Sequence, residues 1–477
     1  MIVVHILFWL CVFCVLYSYA GYGMLIIVIN KISFLKKLLP PPSNAKPLEY
    51  SAPEGEYFPC ISLIISASGE TKEIIQEKIR NTYDLIYPKE KLEVIFAIAF
   101  DTSSEADETI NEYYNHFLAT PGFISPGIKD EELYAKFSYV DKAADLRNPE
   151  VLAKIEKELE GTKVHSGEIQ PGSKEVLDKM FSPGKEEELN IRITKDIERK
   201  GKISQVNRTV KIAKGEIIVF SDCNSMFNKE SLMNISRHFR NKQVGCVAGE
   251  KRVRQSEKST SGEGEGLYWK YESLLKKLDS KIWTTVGAAG EIFAVRKELW
   301  GDRIEENAII EDFLISMRIA GDGYRVIYEP DAYAEEDPTT SLKDEYVRRR
   351  RIAAGGFQSI VWLKYLLNPF KYRVLTFQYI SHRVLRWAVV PFILPLILIL
   401  NVIILAVNFD LLYFILLLGQ LFVYFLAVVG YFLEQKRIKI KVFYIPYLLM
   451  MMNWSAYVGL KRYLKGQQKV VWERAKR

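Results

Sequence analysis

Two polar residues follow an apolar stretch in the middle of this 477-residue chain. Residues 216–221 read EIIVFS, which indicates a buried strand, and Asp222 and Asn224 come directly after it. A carboxylate at the carboxyl end of a parallel strand lies in the crevice where such sheets bind ligands. A carboxylate and an amide oxygen can hold a divalent cation that bridges a diphosphate. An Asp after a strand is also a common cap or turn residue, so both interpretations stay open.

Two further polar motifs follow along the chain. Glu311 and Asp312 precede a helix-like run at 313–320, where acidic side chains either complement the helix dipole or supply a general base. Four arginines, residues 348–351, precede Ile352 and a small-residue stretch. Such a run binds anionic lipid at a membrane surface, or its guanidinium groups clamp a departing diphosphate.

The elements that must position these residues alternate along the chain. Residues 60–67 (CISLIISA) and 92–100 (LEVIFAIAF) have the composition of buried strands. Their alternation with helix-like runs predicts an α/β domain with a mostly parallel sheet and helices on both faces. The predicted order is strand 60–67, helix 70–82, strand 92–100, helix 105–118, strand 189–195, helix 203–214 and strand 216–221.

Residues 119–188 interrupt this alternation with polar sequence and repeated Pro–Gly pairs. They are predicted to be an insertion at the rim of the sheet. The insertion either recognises an acceptor or partner, or is a surface elaboration that loops tolerate at small cost, which is the preferred interpretation.

Long apolar runs lie at both ends of the chain, at 3–30, 387–407, 411–433 and 442–460. A run of about 20 apolar residues can cross a bilayer. The first run is interpreted as a membrane anchor and not as a signal peptide, because it is too long and no Lys or Arg precedes it.

Basic residues at 31–37, 435–441 and 461–477 place these segments on the cytoplasmic side. A fourth span would export the basic tail, so 442–460 is predicted to be re-entrant or interfacial. These features predict a multi-pass protein of the cell membrane whose central domain is cytoplasmic.

Composition excludes other classes of protein. The net charge is +7, but the basic residues gather beside the apolar runs, so no nucleic-acid binding is predicted. The five cysteines are scattered without paired spacing, which argues against a disulfide framework or a zinc site.

The order of these motifs, ending at the membrane, resembles the membrane-bound family 2 glycosyltransferases. That family includes the cellulose, hyaluronan and poly-N-acetylglucosamine synthases and the ceramide glucosyltransferases. The resemblance covers residues 56–360 except the insertion. It implies a GT-A fold, a nucleotide-sugar donor with UDP expected, a Mg²⁺ or Mn²⁺ cofactor, and an inverting transfer to a glycan or lipid-linked acceptor.

The resemblance also implies roles for single residues. It assigns Asp312 as the catalytic base with Glu311 as its neighbour, and it assigns Asp222, with Asn224, to the metal. Donor binding falls to Glu70 and Asp101 on the uridine, Lys202 near the nucleotide, and Arg348 and Arg351, the first and fourth positions of a Q/R-x-x-R-W motif. The acceptor side is assigned to Gly287, Gly290 and Ile352.

Two positions depart from the family pattern. Asn224 stands where the metal motif commonly has a second Asp, and Ile352 replaces the motif tryptophan that lines the acceptor end. The second departure puts polymer synthesis in doubt. Three or four spans are few for a wide translocation path, and this small number favours a lipid acceptor, a short product or an oligomer. The synthase-like order of the motifs favours a polymer product instead. An accessory subunit is a further option.

The competing classes are a transporter component, a catalytically silent nucleotide-sugar-binding membrane protein and a nucleotidyltransferase. The spans at 387–407 and 411–433 carry almost no charge, and Asp101, Asp222, Glu311 and Asp312 are all present, so an enzyme is preferred. The predicted organisation is an anchor at 1–38, a linker at 39–58, a catalytic domain at 59–355, interfacial helices at 356–385, a membrane region at 386–462 and a basic tail at 463–477.

Overall fold

The computed structural model describes residues 1–52, 57–67, 70, 72–98, 138–139, 190–195, 201–254, 262–301, 304–337, 342–436, 438 and 440–466. The predicted helix at 105–118 and the candidate donor residue Asp101 lie outside the described residues. So does the insertion 119–188, apart from residues 138–139.

The described strands form one mixed sheet in the order β3-β4-β2-β1-β5-β8-β7-β9-β6. β4, β2, β1 and β5 run parallel, and β8 runs antiparallel to both β5 and β7. The strands are β1 Ile61–Ala67, β2 Leu92–Ile98, β3 Ser138–Tyr139, β4 Asn190–Lys195, β5 Ile217–Asp222, β6 Met226–Phe227, β7 Val244–Val253, β8 Ile292–Arg296 and β9 Arg325–Glu336.

Apolar side chains on both faces of the central strands explain this arrangement. Ile64, Ile95 and Ile218 face one hydrophobic core, whereas their neighbours Leu63 and Val94 face another. Strands buried on both faces need helices on both sides, which the chain supplies. The predicted α/β architecture with a mostly parallel sheet is therefore confirmed.

Helices cover the sheet and continue into the apolar ends of the chain. Three helical segments, Ile2–Leu16, Tyr17–Gly21 and Tyr22–Lys31, form one helix, α1. Likewise, Val374–Tyr379, Ile380–Val389 and Val390–Val407 form α11. The remaining helices are α2 Ser33–Lys37, α3 Lys72–Tyr83, α4 Lys202–Ile212, α5 Ser231–Phe239, α6 Gly262–Ile282, α7 Lys297–Trp300, α8 Glu311–Gly321, α9 Leu342–Trp362, α10 Pro369–Tyr372, α12 Leu411–Gln435 and α13 Lys441–Leu464.

Among the described helices, α1, α11 and α12 are long and apolar enough to cross a membrane. α1 has 30 residues and is about 45 Å long, which exceeds the roughly 30 Å of the hydrocarbon core. α13 is a continuous helix of 24 residues that contains Pro446. It packs against α9 and α12, so residues 442–460 form no re-entrant hairpin.

Two features differ from the predicted boundaries. The predicted division between 355 and 356 falls inside α9, which carries the arginine run and continues to Trp362. The predicted interfacial segment 356–385 contains the end of α9 and the first part of α11. The glycines at this boundary lie in close contact with other elements: Gly355 packs against Ile309 and Ile310, and Gly356 packs against Trp387.

A buried ionic cluster joins the sheet domain to the membrane helices. The apolar half of α1 packs on α11 and α12 through Phe8, Ile397 and Tyr413. Its second half packs on α6, where Tyr22 contacts Leu275 and donates to Asp279. The ionic cluster lies at this level and consists of Glu272, Asp279, His382, Arg383 and Arg386.

Candidate active site

A single lysine joins the two candidate acidic sites. Lys202 begins α4 directly after Gly201, which adopts a φ of 95°. Its ammonium donates to Asp222 Oδ1 at 2.7 Å and lies 3.1 Å from Glu311 Oε1. Because Asp222 ends β5 and Glu311 begins α8, the site forms at the carboxyl edge of the parallel strands.

The adjacent carboxyl groups of Glu311 and Asp312 differ in their protonation. Burial raises the pKa of Asp312 to about 7, with the neighbouring Glu311 carboxylate acting in the same direction. Burial has the same effect on Glu311, but Lys202, the backbone N–H and Arg351 outweigh it and lower the pKa of Glu311. Glu311 is therefore ionised at neutral pH, and Asp312 exchanges its proton near neutral pH, as a general base must.

A glycine turn lies directly against the acidic pair. Gly287 adopts a φ of 93°, and a Cβ there would lie 2.3 Å from a ring carbon of Phe313. A Cβ on Gly290 would lie 3.2 Å from Asp312 Oδ2. Position 287 therefore needs glycine, whereas a methyl group at position 290 would crowd the carboxyl of the candidate base.

A chain of ion pairs holds this turn to the arginine helix. Glu291 directly follows the turn, and its carboxylate pairs with Lys251 of β7 and with Arg348, whose Nη2 lies 3.3 Å from Oε1. The Lys251 ammonium also lies 2.6 Å from Oε2 of Glu336. Lys251 is only 5% exposed, so these ion pairs are poorly screened by solvent.

The four arginines of α9 divide into two pairs. Arg349 pairs with Glu345 at 2.8 Å, and Arg350 lies over the Tyr346 ring, away from the acidic residues. Arg351, by contrast, lies in the field of Glu311, Asp312 and Asp222, although burial lowers the pKa of its guanidinium to about 10. Positions 348 and 351 therefore share the helix face toward the site, as their three-residue spacing allows.

A buried lysine supports the turn after β5. Lys78 of α3 donates to Ser221 Oγ at 2.8 Å and to the Ser225 carbonyl, on either side of Asp222 and Asn224. Burial lowers its pKa to about 7, although nearby acidic groups, Asp222 and Glu336 among them, act in the opposite direction. The lysine fixes the course of the turn that presents the candidate metal ligands.

Residues 217–428 match the family model described as "Glycosyl transferase family group 2". This part of the chain is similar to the glycosyltransferases of that family group. The match begins with β5 and includes α8, α9 and the first two C-terminal membrane helices. It confirms the predicted enzyme class and the resemblance to family 2 glycosyltransferases. Such a domain transfers a sugar from a nucleotide donor.

Solved structures resemble the chain to different degrees. The mannosyltransferase PcManGT from Pyrobaculum calidifontis, in complex with GDP-Man and Mn²⁺, has a TM-score of 0.57 at 19% identity, over 97% of this chain and 100% of that chain. GalNAc-T7 with UDP, GalNAc and Mn²⁺ has a TM-score of 0.35 at 11% identity, over 69% and 55% of the two chains. TarS 1-349 from S. aureus has a TM-score of 0.35 at 14% identity, over 87% and 93%. No curated protein sequence matches the chain.

The predicted metal ligands of the glycosyltransferase suit a divalent cation whose remaining ligands come from the substrate. In the described part of the chain, no group of three or more His, Cys, Asp or Glu side chains could hold a metal by itself. Asp222 and Asn224 are half-buried beside the acidic pair and offer two oxygen ligands. One or two protein oxygens plus phosphate oxygens form a common magnesium site.

The other predicted site residues of the glycosyltransferase have the following positions. Glu70 lies three residues beyond β1, and its carboxylate helps burial raise the pKa of the Cys223 thiol. Ile352 is half-buried on α9, one residue beyond Arg351. Asp101 is not among the described residues.

Sequence analysis missed three charged residues that shape this site. Glu291 could have been found, because an acidic residue directly follows Gly290. Lys78 and Lys251 carry no such signal, because their partners lie on elements distant along the chain.

Proposed function

We propose that this glycosyltransferase moves a sugar from a nucleoside diphosphate donor, with UDP expected, to a hydroxyl group of a glycan or lipid acceptor at the membrane, with inversion at the anomeric carbon. The observation that carries the proposal is the position of Lys202 between Asp222 and Glu311. It joins a candidate diphosphate site to a candidate base, Asp312, whose carboxyl faces a glycine turn.

Asp312 is the proposed base. Its carboxylate takes the proton of the acceptor hydroxyl while the acceptor oxygen bonds to the anomeric carbon. The bond from that carbon to the diphosphate oxygen breaks, and its electron pair leaves with the nucleoside diphosphate. Because the hydroxyl attacks from the face opposite the diphosphate, the product has the inverted configuration.

Fixed cations of the protein stabilise the leaving group. Lys202, Arg348 and Arg351 supply positive charge where negative charge builds on the diphosphate. Mg²⁺ or Mn²⁺, held by Asp222 and Asn224, would neutralise further diphosphate charge as a Lewis acid. Glu70 and Asp101 are the proposed nucleoside-binding residues.

The proposed orientation places the catalytic domain in the cytoplasm. With three spans at α1, α11 and α12, the basic segments at 31–37, 435–441 and 461–477 lie on the same side as that domain. Positive charge beside spans is retained on the cytoplasmic side, so we place the chain in the cell membrane with this orientation.

The first experiment offers single donors to purified protein in detergent. UDP-glucose, UDP-N-acetylglucosamine, UDP-galactose, UDP-glucuronate and GDP-mannose are each supplied with Mn²⁺ or Mg²⁺ and membrane lipid. GDP-mannose is included because PcManGT was solved with it. We expect metal-dependent release of the diphosphate from one donor, which EDTA abolishes.

The configuration of the new glycosidic bond, measured by NMR, checks the stereochemistry. An inverted product is expected from direct attack. A retained configuration would contradict the single-base mechanism, and no release from any of these donors would contradict the proposed donor class.

A further inference from the structure

The candidate base lies one aromatic ring from a membrane helix. Phe313, next to Asp312, packs on Trp387 with ring centroids 5.0 Å apart. Trp387 belongs to α11, which continues to Val407 through the apolar run. Gly356 allows the close approach, because a Cβ there would lie 2.7 Å from the indole. An acceptor at this position is therefore in reach of the membrane.

Trp387 supplies an aromatic surface at the end of the site where the family motif has its tryptophan. Ile352 stands at the tryptophan position of the motif, and Gly356, one helical turn later on α9, contacts Trp387. The indole is half-buried, which leaves part of it exposed for contact with a ligand. It lies in a π-helical segment, Ile380–Val389, and such segments frequently mark functional sites.

Positive charge lies beside this indole. The Arg383 guanidinium is 5.4 Å from the Trp387 ring, and its Nε donates to the carbonyl of Val286, next to Gly287, at 3.2 Å. Its Nη1 lies 3.2 Å from Oε2 of Glu272, and Arg386 binds the other oxygen of the same carboxylate. The guanidinium therefore joins the glycine turn to the ionic cluster at the membrane end.

A second cation, Lys276, follows Glu272 of the ionic cluster by one turn of α6. Its ammonium lies over the Tyr328 ring at 5.7 Å, and no ion pair to it is formed within the described residues. Burial and then Arg383 lower the pKa of Lys276, whereas Glu272, Glu291 and Asp312 raise it. The ammonium thus lies in the electric field of both the ionic cluster and the candidate base.

Three features of this region restrict the chemical class of the acceptor. A base such as Asp312 is needed only for a nucleophile that carries a proton. The attacking group is therefore a hydroxyl and not an ionised phosphate. Lys276 and Arg383 favour an anion next to that hydroxyl. The adjoining membrane helix favours a hydrocarbon tail.

We propose that Trp387, Arg383 and Lys276 form the acceptor site, and that it binds a lipid whose anionic phosphodiester head group carries free hydroxyls. This inference rests on the proposed function. The sugar is transferred to a head-group hydroxyl: its proton goes to Asp312, the new bond joins its oxygen to the anomeric carbon, and the nucleoside diphosphate departs.

The test uses full-length protein in nanodiscs with a radiolabelled donor of the type it consumes. Each nanodisc combines phosphatidylcholine with one probe lipid: phosphatidylglycerol, phosphatidylinositol, phosphatidic acid or diacylglycerol. Label is expected in phosphatidylglycerol or phosphatidylinositol, which are both anionic and hydroxylated. Equal labelling of diacylglycerol, labelling of phosphatidic acid, or donor turnover without any labelled lipid would overturn the inference while the proposed function stands. No donor turnover would overturn both.

Two variants test the residues. Lys276→Gln is expected to reduce kcat/KM for the anionic lipid by about tenfold to a hundredfold, the range for loss of a charge-assisted hydrogen bond, with the donor KM unchanged. Trp387→Leu should also raise the KM for lipid. The matched controls are Lys277→Gln, the adjacent exposed lysine, and Trp454→Leu, an exposed tryptophan of α13. Unchanged lipid kinetics in Lys276→Gln and Trp387→Leu, or equal losses in the controls, would remove these residues from the acceptor site.

Discussion

At the scale of single residues, the environment separates two neighbouring acids into different roles. Glu311 is held ionised by Lys202, Arg351 and the backbone at the start of α8. For Asp312 the nearby cation and backbone N–H are too weak to offset burial, which raises its pKa to about 7. Pairs of acids whose pKa values are driven apart are a frequent sign of acid–base chemistry. The side chain with the raised pKa is the better base at neutral pH.

The raised pKa of Asp312 gives a pH dependence with a definite sign. A base acts only when deprotonated, so kcat/KM should rise with pH through about 7 and level off above it. The measurement is the initial rate of diphosphate release between pH 5.5 and 9 at saturating metal. A rate that is flat over this range, or that falls as pH rises through 7, would contradict the role of Asp312.

At the scale of elements, the glycine turn and α8 must approach closely. Gly287→Ala should destabilise the fold by about 1–3 kcal/mol, because it combines a φ of 93° with a clash on Phe313. Gly290→Ala should instead leave stability nearly unchanged and reduce kcat, because the added methyl lies 3.2 Å from Asp312 Oδ2. Thermal unfolding and kinetics together separate the two effects.

The control for this pair is Gly419→Ala in α12, where a Cβ would meet no heavy atom within 4 Å. It should alter neither the stability nor the activity by a comparable amount. If Gly290→Ala retained full kcat, the turn would not be close to the base in the working enzyme.

Sequence patterns predicted the strands well and the ion pairs poorly, for a physical reason. β1, β2 and β5 consist of apolar residues that need two covered faces, so their positions and their parallel order could be inferred. The chain of Lys251, Glu291 and Glu336 depends on which strands become neighbours. That information is absent from local spacing, so neither the ion pairs nor the support by Lys78 could be foreseen.

The extent of α9, the helix that carries the four arginines, could not be predicted from local sequence either. The predicted catalytic domain ends at Gly355, and Gly356 begins the next predicted segment. Glycine weakens a helix. In the structure these glycines lie inside α9 and admit Ile309, Ile310 and Trp387. Close packing against other elements offsets the unfavourable propensity, and only the tertiary structure reveals it.

At the scale of the whole molecule, the ionic cluster couples the membrane helices to the catalytic domain. Glu272 accepts from Arg383 and Arg386, and Asp279 accepts from Tyr22. The ring nitrogens of His382 lie 2.6 Å from Asp279 Oδ2 and 3.3 Å from Glu272 Oε2. The cluster involves α1, α6 and α11, and Arg383 of α11 also donates to the carbonyl of Val286, next to Gly287. The ionic cluster therefore connects the membrane helices to the glycine turn.

Removal of one carboxylate from this cluster should be costly. Glu272→Gln removes the negative charge that Arg383 and Arg386 share and should destabilise the protein by about 3–5 kcal/mol. The measurement is the thermal unfolding midpoint in detergent. Glu305→Gln is the matched control, because Glu305 is 48% exposed and its pair with Arg318 should contribute about 0–1 kcal/mol. Similar midpoints for the two variants would show that the cluster contributes little to stability.

The most direct test of the central claim compares Asp312→Asn with the wild-type protein in one assay of donor turnover and donor affinity. Asp322→Asn, at the other end of α8, is the control. We expect Asp312→Asn to lower turnover by about 10²–10⁴, the usual contribution of a positioned base, with donor affinity nearly unchanged and the control fully active. Near-normal turnover in Asp312→Asn would contradict the assignment of Asp312 as the base and, with it, the proposed mechanism.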